Sequence, residues 1–259
     1  MTEGYPRLLG DIGGTHARWA WQAAAGAPLQ DIVVRPCSLH PSIEASAHSY
    51  LTDGGHPRPA WVAIGIATPV AGDRVSMTNS PWSFSIAELQ RSLGARRCLV
   101  INDFTALAMS LPALGADDLC AIGGGQAVAG AAIGLLGAGT GLGVSGLQPL
   151  PGGGWAALSG EGGHVTLAPA DDADAEILAI LRRRFGHVSA ERVLSGPGLV
   201  NLHDAICARD GAAAGTLQPA DVVRAAVDTI DKRSVEAARL FASFLGNVAG
   251  NLALTLGAL

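Results

Sequence analysis

At 259 residues, 49% hydrophobic and 15% charged, the chain is long and apolar enough to bury one large core or two modest ones. Its net charge of −5, with basic residues gathered only in the short stretches Arg91 to Arg97 and Arg182 to Arg184, lacks the excess that a phosphate backbone demands, so nucleic acid is not expected as a partner. Cys37, Cys98, Cys120 and Cys207 lie tens of residues apart with no CxxC pair, which reads as buried thiols in a reducing, cytoplasmic setting, and Met1 to Arg7 carries no basic stretch leading into an apolar one.

The first element is a predicted β-hairpin from Leu8 to Ala20. Its turn holds Gly13 and Gly14, which without a Cβ let backbone amides approach a phosphate, and Thr15, which adds a hydroxyl donor. Trp61 to Ala67 reads as a buried strand ended by Thr68-Pro69, and Cys98 to Ile101 as another ended by Asn102-Asp103. Between them Ser85 to Leu93 has one apolar helical face and Ser85 in capping-box spacing with Glu88; a second helix starts at Phe104 and runs to Leu111. No charge occurs between Asp118 and Glu161, which invites a membrane span, but repeated glycines break any continuous helix and no basic residues flank the stretch. No membrane association is expected. Inside that stretch Ala132 to Val144 repeats the hairpin theme with Gly137, Gly139, Thr140 and Gly141 at its turn. An ordinary glycine hairpin is the bland alternative for each. Beyond residue 171 helical periodicity covers Asp174 to Phe185, Ala190 to Arg209 with Gly196-Pro197-Gly198 interrupting it, Pro219 to Ile230, and Ser234 to Leu256. A strand-rich front and a helix-rich back, each opened by a glycine hairpin, predict two α/β lobes around a cleft, residues 1–103 and 104–259.

Asp103 stands where an apolar strand ends and a helix begins, the place where ligands meet α/β sheets; it is either the helix N-cap or a general base. Asn102 beside it can donate and accept, as polyol recognition requires. Glu161 and His164 share a glycine-rich turn and, taken singly, read equally as solvated loop groups. Glu191 reads by default as an acid favoured by a helix N-terminus.

Together these segments resemble the bacterial glucokinase family from Leu8 onward. Beside the two hairpins, Met77-Thr78-Asn79 with Trp82 to Ile86, Ile101 to Ala106, Gly160 to Val165, His187 to Val200 and Gly250 to Leu254 look like that family's sequence and follow its order. The resemblance implies the actin-like ATPase, ribonuclease H-like architecture, with two α/β lobes closing on glucose. It implies Asp103 as base, Asn102, Glu161, His164 and Glu191 on sugar hydroxyls, and the Asp11 and Thr140 loops on the phosphates of ATP, with Asp11 orienting water on Mg²⁺ rather than the protein forming a metal cage. A homodimer stays open. The wider group of sugar kinases and sugar-responsive repressors called ROK shares the first hairpin and the glutamate-to-histidine spacing, but its cysteine cluster after the histidine is missing here, so no structural zinc is expected. The family's chain usually resumes after the last helix with a strand, an adenosine-contacting turn and closing helices. The sequence therefore reads as truncated, frameshifted or completed by a partner, and an impaired glucose-binding protein is the alternative to an active kinase.

Overall fold

A computed structural model gives the structure and describes residues 4–78 and 80–258. Asn79, which belongs to one of the family-like stretches, lies outside the described residues. The chain divides into two compact units, the first ending at Ala113 and the second beginning at Leu114.

The first unit runs β1 (Arg7–Ile12), β2 (His16–Gln22), β3 (Gln30–Pro36), α1 (Ile43–Asp53), β4 (Trp61–Ile66), β5 (Arg74–Ser76), β6 (Ser83–Ser85), α2 (Ile86–Ser92), β7 (Arg97–Asn102) and α3 (Asp103–Ser110). Its main sheet has the order β3-β2-β1-β4-β7, in which β1, β2 and β3 form an antiparallel meander and β4 and β7 run parallel to β1. Alternation puts Ala17, Trp19 and Trp21 of β2 and Val62, Ile64 and Ile66 of β4 in the core, where they join Leu8, Ile12 and the Ile43, Ala47 and Tyr50 face of α1. The Trp19 indole N–H, taken out of water there, donates to Ser46 Oγ at 3.0 Å. Ser85 caps α2 by accepting from the Glu88 amide at 3.1 Å, as its spacing predicts. α3 packs on β4 and β7, so the division falls after it, where the strand pattern alone had put it near residue 103.

The second unit repeats the opening meander. Strands β8 (Ile133–Ala138), β9 (Leu142–Pro149) and β10 (Trp155–Ser159) form an antiparallel sheet, followed by α4 (Asp172–Phe185), α5 (Gly196–Arg209), α6 (Pro219–Val227) and α7 (Lys232–Leu256). Ile177, Leu181, Leu202, Ile206, Val222, Ala237 and Phe244 fill a second core. Along α7 the apolar residues occupy more than one face, and only part of them is covered: Phe244 is fully buried, whereas Leu254 is 85% exposed. Among the described residues no helix is long and apolar enough to cross a membrane.

Two expectations are corrected. The helix read over Ala190 to Arg209 is a 3₁₀ turn at Ala190–Arg192 followed by α5, and Gly196-Pro197-Gly198 opens that helix rather than interrupting it. Proline in a first turn loses no intrahelical bond, and Ser195 supplies the cap by accepting from the Gly198 amide at 3.0 Å. Cys37 and Cys207 are buried as expected, but Cys120 is exposed, because the segment around it has no sheet or helix to pack on.

Ser195 also donates to the Glu191 carbonyl at 2.8 Å. Ser195→Ala should therefore cost about 1 kcal/mol, the usual worth of such a cap, and lower the thermal midpoint by about 2–4 °C in a chain of this size. An unchanged melting curve would mean that the cap is replaced by solvent.

Candidate functional site

In the first unit, parallel pairing aligns Ile12 with Ile66 and Ile66 with Asn102, so the carboxyl ends of β1, β4 and β7 lie level. The Gly13–Thr15 turn that leaves β1 and the Asn102-Asp103 pair that leaves β7 thus share one edge of the sheet, two strand spacings or about 10 Å apart. The turn is closed by the Gly13 amide on the His16 carbonyl at 2.9 Å and held from outside by the Cys37 amide on the Thr15 carbonyl at 2.8 Å. Asp11, one residue before the end of β1, is exposed and paired with Arg18 directly across the hairpin at 2.8 Å.

Asn102, not Asp103, is the N-cap of α3. Its Oδ1 accepts from the amides of Phe104 at 3.0 Å and Thr105 at 3.2 Å, while its Nδ2 donates to Asp103 Oδ1 at 3.0 Å. The Phe104 amide donates to that same Asp103 oxygen at 2.9 Å. Both bonds fall on Oδ1 and neither on Oδ2. The carboxylate is thereby held at a fixed angle with one oxygen to spare. Burial pushes the Asp103 carboxyl above its usual range, and the like charge of Asp11 adds to the shift against the opposing pull of the Phe104 amide and of Asn102.

Gly65 of β4 lies between these groups, level with Asp11 on one side and Ile101 on the other. A Cβ there would stand 3.3 Å from Ala106 Cβ and 3.7 Å from Asp103 Cα, so its bare backbone is what lets the start of α3 settle on the sheet. Sequence reading missed both Gly65 and Arg18. The hairpin register would have found Arg18, but nothing in the sequence marks Gly65.

The second unit gathers the remaining candidates. Gly137 lies in β8, and Gly139, Thr140 and Gly141 form the turn into β9, with the Gly139 amide donating to the Gly141 carbonyl at 2.8 Å. Glu161 precedes a 3₁₀ turn, Gly162–His164, that ends in His164; the His164 Nε2 to Glu161 Oε2 distance is 3.9 Å with both side chains more than half exposed. A contact so long and so exposed stabilises little, which leaves both groups available to a ligand. The strand-like bridge between Thr166 and Ser189, with the Ala190 amide on the Val165 carbonyl at 2.9 Å, ties the segment after His164 to the one before Glu191. Glu191 is an acid in the first turn of a helix, as its default reading has it, but the helix is the short Ser189-capped 3₁₀ segment Ala190–Arg192 and not α5. Its Oε2 accepts from the Leu142 amide at 2.9 Å. Three chain segments of the second unit, the β8–β9 turn, residues 161–166 and residues 189–192, are therefore tied together by these bonds.

The β3-β2-β1-β4-β7 order, the glycine hairpin opening each unit and the carboxylate at a strand end define an α/β sugar kinase of the actin-like ATPase class. The glucokinase family model matches residues 8–259. The chain belongs to the glucokinase family. It is 49% identical over 258 residues to a glucokinase of Chromobacterium violaceum, covering 100% of this chain and 74% of that one. With a glucokinase of Aromatoleum aromaticum the identity is 51% over 255 residues, covering 98% and 77%. The crystal structure of a glucokinase from an Antarctic psychrotroph superposes with a TM-score of 0.87 at 34% identity, covering 98% of this chain and 80% of that one.

Proposed function

We propose that the chain transfers the γ-phosphoryl group of ATP to the 6-hydroxyl of glucose, with Asp103 as general base. The observation that carries this reading is the Asp103 carboxylate itself, with Oδ1 anchored by Phe104 and Asn102 and Oδ2 left over at the sheet edge where the Gly13 turn also lies. The hydroxyl proton passes to Asp103 as the sugar oxygen bonds to the γ-phosphorus, the bond to the bridging oxygen breaks, and ADP leaves. Phosphoryl transfer asks the protein chiefly for alignment and charge compensation. The turns at Gly13, Gly14 and Thr15 and at Gly137, Gly139, Thr140 and Gly141 receive the phosphates, the Gly13 and Gly139 amides closing those turns rather than donating to phosphate. Glu161, Glu191 and His164 take sugar hydroxyls, since a carboxylate offers two acceptors and charge-assisted bonds are the stronger kind. Asn102 contributes its remaining amide hydrogen.

Asp11 suits a hard divalent cation that travels with the phosphates and keeps most of its water: its Oδ2 is paired with Arg18 and its side chain is more than half exposed. Mg²⁺ bound there would offset the phosphate charge. Free cysteines throughout support a reducing, cytoplasmic setting.

A coupled assay for glucose 6-phosphate, run with and without ATP on the folded chain, tests the reading; absence of product at saturating glucose and ATP would overturn it. The pH profile supplies a second check. The base acts deprotonated, so a raised Asp103 value moves the onset of activity to higher pH, and the acid limb of kcat/KM for glucose should lie above the ordinary aspartate range. Asp11→Asn removes the like charge and should move that limb back down. A limb at or below the ordinary range would assign the titration to another group.

A further inference from the structure

The Glu191 carboxylate is built into the phosphate turn. Oε2 accepts the Leu142 amide at 2.9 Å, and a Cβ on Gly141 would collide with that oxygen and come within 3.1 Å of Cδ. Gly141 is therefore glycine for the sake of Glu191 as much as for any phosphate. A second bond joins the same two segments, from the Gly196 amide to the Gly139 carbonyl at 2.8 Å, and the Ser195 hydroxyl holds the Glu191 carbonyl at 2.8 Å. The turn is thus braced from one side by the stretch 191–196. Oε1 takes no part in this bracing.

A carboxylate has two acceptor oxygens, and these two have different tasks. We infer that Glu191 is a positioning residue for the phosphate turn, through which sugar held on Oε1 fixes Oε2 against the Leu142 amide and prepares the turn for ATP. The inference rests on the glucokinase reading above, which makes Glu191 a sugar ligand. Glu191 is only partly buried, so without sugar its side chain keeps rotamer freedom and the Leu142 bond opens and closes. A hydroxyl on Oε1 removes that freedom. The turn then reaches its phosphate-binding form before the nucleotide arrives, and the ordering cost is met once rather than twice. Coupling of this kind is reciprocal: glucose must tighten nucleotide binding by the same factor as the nucleotide tightens glucose.

Calorimetry with glucose, with a non-hydrolysable ATP analogue, and with each in the presence of the other measures that factor directly. It should be about fivefold or more in the parent chain and fall below about twofold in Glu191→Gln, which replaces one of the two acceptor oxygens by a donor, so that the hydroxyl proton and the Leu142 amide no longer each meet an acceptor of their own. Hydrogen exchange gives a readout that needs no nucleotide and no variant. Glucose alone should slow exchange at the amides of residues 139–142 in the parent. Glu191→Gln, checked for an unchanged melting curve, should lose that protection. Independent binding of the two ligands, or glucose binding without protection of the turn, would overturn the coupling while leaving the glucokinase reading intact. Failure of glucose to bind the parent chain would overturn both.

Discussion

Asp103→Asn should lower kcat by about a hundredfold or more while leaving glucose affinity within several-fold. The change is close to isosteric. An asparagine oxygen can still accept from the Phe104 amide, and Asn102 still caps α3, so the local fold has every reason to survive. What disappears is the acceptor for the hydroxyl proton. On the proposed reading sugar has other anchors in Glu161, His164 and Glu191, and neither they nor the glycine turns are changed by the substitution. The effect should therefore fall on kcat rather than on KM, the signature of an interaction needed only as the bond forms. Turnover near that of the parent, on protein with a matched melting curve, would remove Asp103 from the base role. An equal rise in KM would instead make it a sugar ligand.

Much of this site was legible because its parts sit at punctuation points in the sequence. Both glycine hairpins follow apolar runs and both exist, from Arg7–Ile12 into His16–Gln22 and from Ile133–Ala138 into Leu142–Pro149. The strand ending before Asp103 was equally plain, although β7 lies at the edge of the sheet, because its apolar run Cys98 to Ile101 stops at a polar pair that opens a helix. The cap was less so. Two adjacent residues, Asn102 and Asp103, could each begin the helix, and only the geometry decides that the asparagine does, so that the aspartate is not the cap. Edge and short elements were lost: β3 mixes exposed Ile32 and Val34 with charged neighbours, and β10 is a five-residue strand after a glycine run. Periodicity carries little signal in segments that short or that half-exposed. The Leu142 amide on Glu191 spans 49 positions of sequence, and no local pattern encodes a bond of that kind.

Gly139→Val should separate the phosphate-binding role of the second hairpin from its structural role, because Gly139 and Gly141 differ in what a side chain would meet. At Gly139 an added Cβ finds nothing within 4 Å, and the residue's own bonds, its amide to Gly141 and its carbonyl to Gly196, are made by the backbone and persist. Melting should barely change. The new side chain instead occupies the open space beside the turn, which on the proposed reading is where phosphate oxygens approach. Losing one hydrogen bond to a charged group costs about 1.5–3 kcal/mol, so KM for ATP should rise about tenfold to a hundredfold. Directly measured glucose affinity in the absence of nucleotide should stay near that of the parent. Gly141→Ala differs in kind, since its methyl group would press on the Glu191 carboxylate and disturb sugar and nucleotide together. The pair of variants thus forms an internal control. Equal losses for both ligands in Gly139→Val would mean that the turn shapes the unit as a whole, and that the phosphates are held elsewhere.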